Sequence, residues 1–317
     1  MSAATAPAAV ADPPAPRIRG VGAITGWGEG VQALPDAPPP RGERRGLVTA
    51  PTPVLGGDRF RRATRECLLA VAAAKAAVAD AGLAEADVAG SRTGILYVSA
   101  TGYAAANRAF LEDESSTTLH FPYTSPSAVP GEVTIELGIR GPYVNVMGGA
   151  PATLQAIWWA ARWLAEGRAD RVLVLAVEAL HEIRDLFDRA RRLYRGPLVE
   201  GAACLLLEAG EGGGLRWASA LGGSTASPSA VAAVLGRVLN GDRPGLVWSG
   251  STGGGREGAE TRILTGRGAP APAPRLGEAL ALGPLLALAR IERGQAPGPW
   301  LLTATWRSEY AALLWAR

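Results

Sequence analysis

Histidine is almost absent from this chain: His120 and His181 are the only two in 317 residues. Cysteine is equally scarce, with Cys67 and Cys204 alone. Two thiols so far apart, in a chain without a secretion signal, make no disulfide framework. Two cysteines and two histidines at these spacings also fit no familiar zinc site. Lysine occurs once, at Lys75, and the rest of the 32 basic residues are arginine. Charged residues make up only 19% of the chain. That is low for a globular domain, and it implies that surface is covered by a partner or by self-association. No apolar run reaches the ~18 residues that a membrane span needs. The first stretch, residues 1–16, is rich in proline and small residues and lacks both the basic flank and the apolar core of a signal peptide. It reads as a disordered tail. These absences predict a soluble, cytoplasmic protein with no cofactor and no membrane. The net charge of +3 is too mild and too dispersed for nucleic acid, but it suits an acidic protein partner.

Apolar residues make up 48% of the sequence, enough for a large core. A chain of this length fits one large α/β domain or two fused halves. Residues 17–25 read as a strand with Gly20 and Gly22 inside it, and residues 34–57 as loop. From Arg59 to Gly82 the apolar residues Phe60, Ala63, Cys67, Val71, Ala74 and Val78 recur at spacings of three and four, the period of a buried helix. Cys67 lies in that stripe and is expected to be an inert core thiol. Strands are predicted at 93–100, 143–147, 171–180 and 201–210, and helices at about 131–138, ending at Gly138, and 152–167. The unbroken apolar run at 171–180 fits a strand covered on both faces. The glycines of 211–215 mark a boundary. Beyond it come a helix near 228–239, a strand at 245–248, helices at 256–264 and 277–293, and strands at 300–305 and 311–314. Alternating strands and helices in both parts predict an α/β protein with layered sheets.

The segment GPYVNVMGGAPATLQAIWWAARWLAEGRADRVLVLAVEAL resembles the nucleophile-elbow region of the β-ketoacyl synthases, which have the thiolase fold. There a strand runs into T-A-C-S-S-G-L, a helix follows, and then G-R-A-D-x-V-L-x-x-G-V-E-A. Gly167–Asp170 and Val177–Ala179 match the latter. RIRGVGAITGWGEGVQAL is similar to the family's first strand, KAAVADAG to its E-A-L-x-D-A-G, and SPSAVPGEVTIELGIRGP to its P-x-x-x-A-G-x-V-A-I-x-L-G-L-R-G-P. The resemblance covers about residues 17–210 and, with fewer matches, 245–315. It implies two pseudo-symmetric α/β halves, 17–210 and a shortened 211–317, in α-β-α-β-α layers.

The resemblance also implies which positions held the family's catalysts. The elbow nucleophile falls on Ala150, the first histidine on Gly250 and the second on Glu278. The Gly-rich gate falls on Thr305–Ala311, where bulky side chains replace its glycines. A methyl group cannot attack a thioester, so the resemblance implies a silent member of the family, similar to a chain length factor, that pairs with an active ketosynthase. Tyr143, Val144, Asn145, Val146 and Met147 would pair with the partner. Phe110, Leu119, Phe121 and Tyr123 would close its acyl tunnel. A scaffold for an acyl carrier protein, docked on Arg-rich residues 188–196, is the alternative. A third reading is an acyltransferase built on Glu278, Ser249 or Ser251, with no histidine nearby to activate a serine.

Overall fold

The computed structural model describes residues 11–36, 46–112, 120–189, 196–221, 227–250, 254–273, 276–294 and 298–316. Five long strands build the first sheet: β1 (Arg17–Thr25), β2 (Thr93–Ser99), β3 (Tyr143–Met147), β4 (Arg171–Glu178) and β5 (Gly201–Glu208). They stand in the order β1–β5–β4–β2–β3, with the short strand Gly28–Glu29 beyond β1. β5 is antiparallel to β1 and β4, whereas β4, β2 and β3 run parallel. The second sheet contains β6 (Leu215–Leu221), β7 (Leu246–Gly250), β8 (Trp300–Trp306) and β9 (Glu309–Trp315) in the order β6–β9–β8–β7. Its pairings are antiparallel, antiparallel and parallel, so it repeats β1–β5–β4–β2 strand for strand. Among the described residues it then stops where the first sheet continues to β3. A single parallel bridge, Trp248 to Ala273, stands outside β7 in place of a fifth strand.

Helices fill three layers around the two sheets. α1 (Arg65–Asp80) and α3 (Ala128–Glu136) cover the outer face of the first sheet, and α2 (Ala104–Glu112) lies at its flank. α4 (Ala150–Ala165) and α7 (Leu282–Arg293) lie between the sheets in the main core. α5 (Pro228–Leu239) and α6 (Gly254–Gly266) cover the outer face of the second sheet. Helices thus lie outside each sheet and between the two, and the two central helices share one core with both sheets.

Local sequence explains this packing. In β4, Val172, Val174 and Ala176 face the central helices while Leu173, Leu175 and Val177 face α1. Both faces are apolar because both are covered. α1 presents Ala70, Ala73, Ala74 and Ala77, all fully buried. A β-carbon on Gly20 or Gly22 would collide with the carbonyl oxygen of Ala77 or Ala73, so the glycines and alanines together set how closely strand and helix approach.

Several expectations need correction. The helix predicted from Arg59 begins at Arg65, because Thr64 caps it and accepts the Cys67 N–H at 3.4 Å; residues 58–62 form a 3-10 turn. The helix predicted from 131 to Gly138 spans Ala128–Glu136, and the one at 277–293 starts at Leu282. Strand β6 was not anticipated. Its sequence, LRWASAL, alternates weakly because small residues serve one covered face and Trp217 the other. The end of the expected N-terminal tail is packed: Ala15 is buried and its N–H donates to Gly213 O at 3.3 Å. Of the Arg-rich segment 188–196, residues 190–195 lie outside the described residues.

Candidate functional site

β3 runs into Gly148 and Gly149, and α4 begins at once. Gly149 is the N-cap, Ala150 opens the helix, and Pro151 follows in the first turn, where a missing N–H costs no helical bond. Ala150 is buried with a methyl side chain. Glu278 lies in the approach to α7. Its N–H donates to Pro197 O at 2.8 Å, and its own carbonyl accepts the Val199 N–H at 2.9 Å. Its Oε1 accepts the Leu280 N–H at 3.3 Å. Leu280 takes a left-handed φ of 47°, an uncommon conformation for a branched residue, and this tightens the turn into α7. The two segments meet: Thr153, in the first turn of α4, donates through Oγ1 to Ala281 O at 2.7 Å.

Gly250 ends β7 opposite Ala304. A β-carbon there would lie 2.7 Å from the Trp248 ring, and the same ring approaches Gly283 of α7. The region beside Ala150 is filled. Trp306, at the end of β8, lies over Gly149. It packs with Leu180, Leu198, Leu280 and Phe187 in a small apolar cluster. Thr305–Ala311, the expected gate, is a hairpin: Trp306 pairs with Glu309, and Arg307 takes a left-handed φ of 52° in the two-residue turn.

Two buried glutamates hold this region together. Glu178, at the end of β4, accepts the Ala100 N–H at 2.8 Å, the Ala281 N–H at 3.1 Å and the Thr101 hydroxyl at 2.7 Å. One carboxylate thus joins β4, the end of β2 and the turn before α7. Complete burial pushes it up to about 7, against the pull of those donors. Glu200 accepts N–H groups of Ala50, Leu180 and His181 and an ion pair from Arg65. Burial raises its pKa, but the Arg65 bond and charge outweigh that and hold it below the ordinary carboxylate range. In the sequence Glu178 stands only as a motif letter, and Glu200 carries no motif. An acid inside or beside an otherwise apolar strand was the available signal.

Both cysteines are fully buried, and burial pushes the Cys67 thiol up to about 12 and Cys204 up as well. Ser249 is buried and donates to Glu260 Oε2 at 3.1 Å; Ser251 lies outside the described residues. Among the described residues no group of three or more His, Cys, Asp and Glu side chains could hold a metal. No described helix is long and apolar enough to cross a membrane.

The aromatic residues singled out from the sequence meet at the flank of the first sheet. Phe110 and Phe121 stack edge to face with centroids 6.0 Å apart. Phe110, Tyr123 and His120 line a cavity of about 200 Å³ with Arg62 and Thr64. Phe121 is largely exposed, and Leu119 lies outside the described residues. Among the described residues, β3 is an edge strand paired only with β2. Tyr143 and Met147 are exposed at its ends, and Val144, Asn145 and Val146 are half-buried.

Residues 51–195 match the N-terminal domain of β-ketoacyl synthases. A putative β-ketoacyl synthase 1 of granaticin polyketide biosynthesis from Streptomyces violaceoruber is 31% identical over 130 residues, or 37% of this chain. The match spans 31% of that relative's length. Solved structures with similar folds include the following three. The ishigamide ketosynthase/chain length factor superposes with a TM-score of 0.74 at 21% identity, over 95% of this chain and 99% of the other. A type II polyketide synthase acyl carrier protein in complex with its ketosynthase gives 0.74 at 16%, over 96% and 99%. A β-ketoacyl synthase from Burkholderia phymatum gives 0.71 at 17%, over 96% and 99%. The chain thus has the ketosynthase, thiolase-like fold, and its residues 51–195 are similar to the N-terminal domain of the β-ketoacyl synthases.

Proposed function

We propose that this chain is a non-catalytic ketosynthase-fold subunit of the chain length factor kind, acting in polyketide or polyene biosynthesis. It pairs through β3 with a ketosynthase that retains its cysteine and shapes the acyl tunnel of the pair. The observation that carries this reading is Ala150 at the head of α4, with the Trp306 indole packed over the preceding residue. Condensation needs a thiolate to hold the acyl chain and donors to stabilise the enolate. A methyl group, Gly250 and Glu278 supply neither. The exposed Tyr143 and Met147 on an unpaired strand edge suit a protein partner, and the net charge of +3 suits an acidic acyl carrier protein. Among the solved relatives are a ketosynthase/chain length factor and an acyl carrier protein bound to its ketosynthase.

Co-expression with a ketosynthase tests the pairing. The chain should co-purify with that partner, and the isolated chain should not take up radiolabelled malonyl or acyl groups. Transfer by the isolated chain would overturn the reading. In the pair, Phe110→Ala or Tyr123→Ala should lengthen the product, because each removes bulk from the wall of one cavity. Unchanged products from both would reduce the role to that of a scaffold that stabilises the ketosynthase or holds the carrier.

A further inference from the structure

A second cavity, of about 250 Å³, lies between edge strand β7, the segment approaching α7 and α7 itself. It shares no wall with the aromatic cavity beside Phe110. The hollow arises from small residues on facing elements: Gly283 and Ala287 on one face of α7, and Gly277 opposite. Two half-buried indoles, Trp27 and Trp248, also wall it. Among the described residues, the charged groups lining it are Arg290 and Asp36. Arg290 is anchored through Nη1, which donates to Pro35 O at 2.9 Å. Its Nη2 stands 3.8 Å from Asp36 Oδ1, too far for a hydrogen bond. The Asp36 side chain is fully exposed. The guanidinium is therefore fixed in place while its counter-ion is held only loosely.

We propose that this cavity binds a small apolar carboxylate, with its body between Trp27 and Trp248 and its carboxylate on Arg290 in place of Asp36. Size and charge both select this class. An apolar cavity of about 150 Å³ accommodates benzene, so this one takes a ring with a short chain. Tryptophan faces alone would equally attract a cation, but the fixed Arg290 repels one. A guanidinium matches a carboxylate through paired N–H donors, and its anchoring at Pro35 lowers the cost of ordering it.

Titration calorimetry on the full chain tests this, with 4-phenylbutyrate as the probe and 4-phenylbutan-1-ol as its neutral counterpart. Phenylbutyrate should give saturable binding at one site and the alcohol weaker binding. Arg290→Gln should weaken the carboxylate at least about tenfold and leave the alcohol unchanged. Ala287→Leu, which fills the cavity, should abolish binding of both. If that variant does not fold, Trp27→Ala at the half-buried wall should weaken both probes. The proposal is overturned if phenylbutyrate shows no saturable binding at millimolar concentration. It is also overturned if Arg290→Gln weakens both probes equally, or if neither the Ala287 nor the Trp27 variant changes binding.

Discussion

The indole of Trp306 lies directly against Gly149: a β-carbon built on that glycine would fall 2.6 Å from Cδ2 and 2.7 Å from Cε3. Contact that close has no slack, because the ring is held by Leu180, Leu198 and Leu280. Gly149→Ala should therefore destabilise the fold by about 1–3 kcal/mol, the usual cost of overpacking. The double variant Gly149→Ala/Trp306→Ala should show a coupling of opposite sign, because removing the ring admits the methyl. Urea unfolding of the four proteins in the cycle measures this. Simple additivity would show that the indole moves aside.

Glu178 predicts a pH dependence of stability. Burial lifts its carboxyl from 4.5 to about 7, so the folded chain binds the proton more tightly than the unfolded chain. The stabilisation is fully present below pH 4.5 and is lost as the pH rises to 7. Over that window it amounts to ~3 kcal/mol. Glu178→Gln should lack this part of the slope. Denaturant midpoints for both proteins at pH 5 and pH 8 provide the comparison, and parallel profiles would assign the titration to another group.

The Arg65–Glu200 pair predicts the opposite slope. Glu200 is held below its ordinary range, so its contribution is present above pH 4.5 and disappears on acidification below it. Arg65→Met leaves a buried carboxylate with only backbone partners. The expected cost is about 3–5 kcal/mol, read from thermal unfolding at pH 7. Glu200→Gln in the Arg65→Met background should recover part of it.

The open edge of β3 can be tested apart from stability. Tyr143 and Met147 are 40% and 46% exposed, so Tyr143→Lys and Met147→Lys should leave the melting temperature nearly unchanged. If the proposed pairing holds, the same changes should weaken co-purification with a ketosynthase, since lysine on an exposed edge discourages strand pairing. Pull-down yield against melting temperature separates the two effects.

Strong periodicity and ordered motifs carried the layered fold from the sequence. The three-four spacing of α1 marks a helix, and the short, valine-rich apolar run of β4 favours a strand covered on both faces. β6 lacked such a signal, since alanine and serine pack behind a covered face without marking it. The start of α1 was misplaced because a 3-10 turn at Phe60 continues the apolar stripe past the Thr64 cap. That position 150 carries only a methyl group was legible because it follows from one letter. The filling of the space beside it was not, since Trp306 is 156 residues away in the chain and meets Gly149 only in the folded protein. Glu178 and Glu200 are likewise defined by partners from distant segments.

β2 and β7 occupy equivalent places in the two sheets, yet β3 covers one and a lone bridge at Ala273 covers the other. Their amide protons should consequently exchange on different timescales. Those of Ile95–Val98 sit inside a sheet and open only with the whole fold, whereas those of Val247–Gly250 lie at a rim that frays on its own. One strand arrangement, ending at different places in the two sheets, thus sets a slow strand beside β3 against a fast one at the rim.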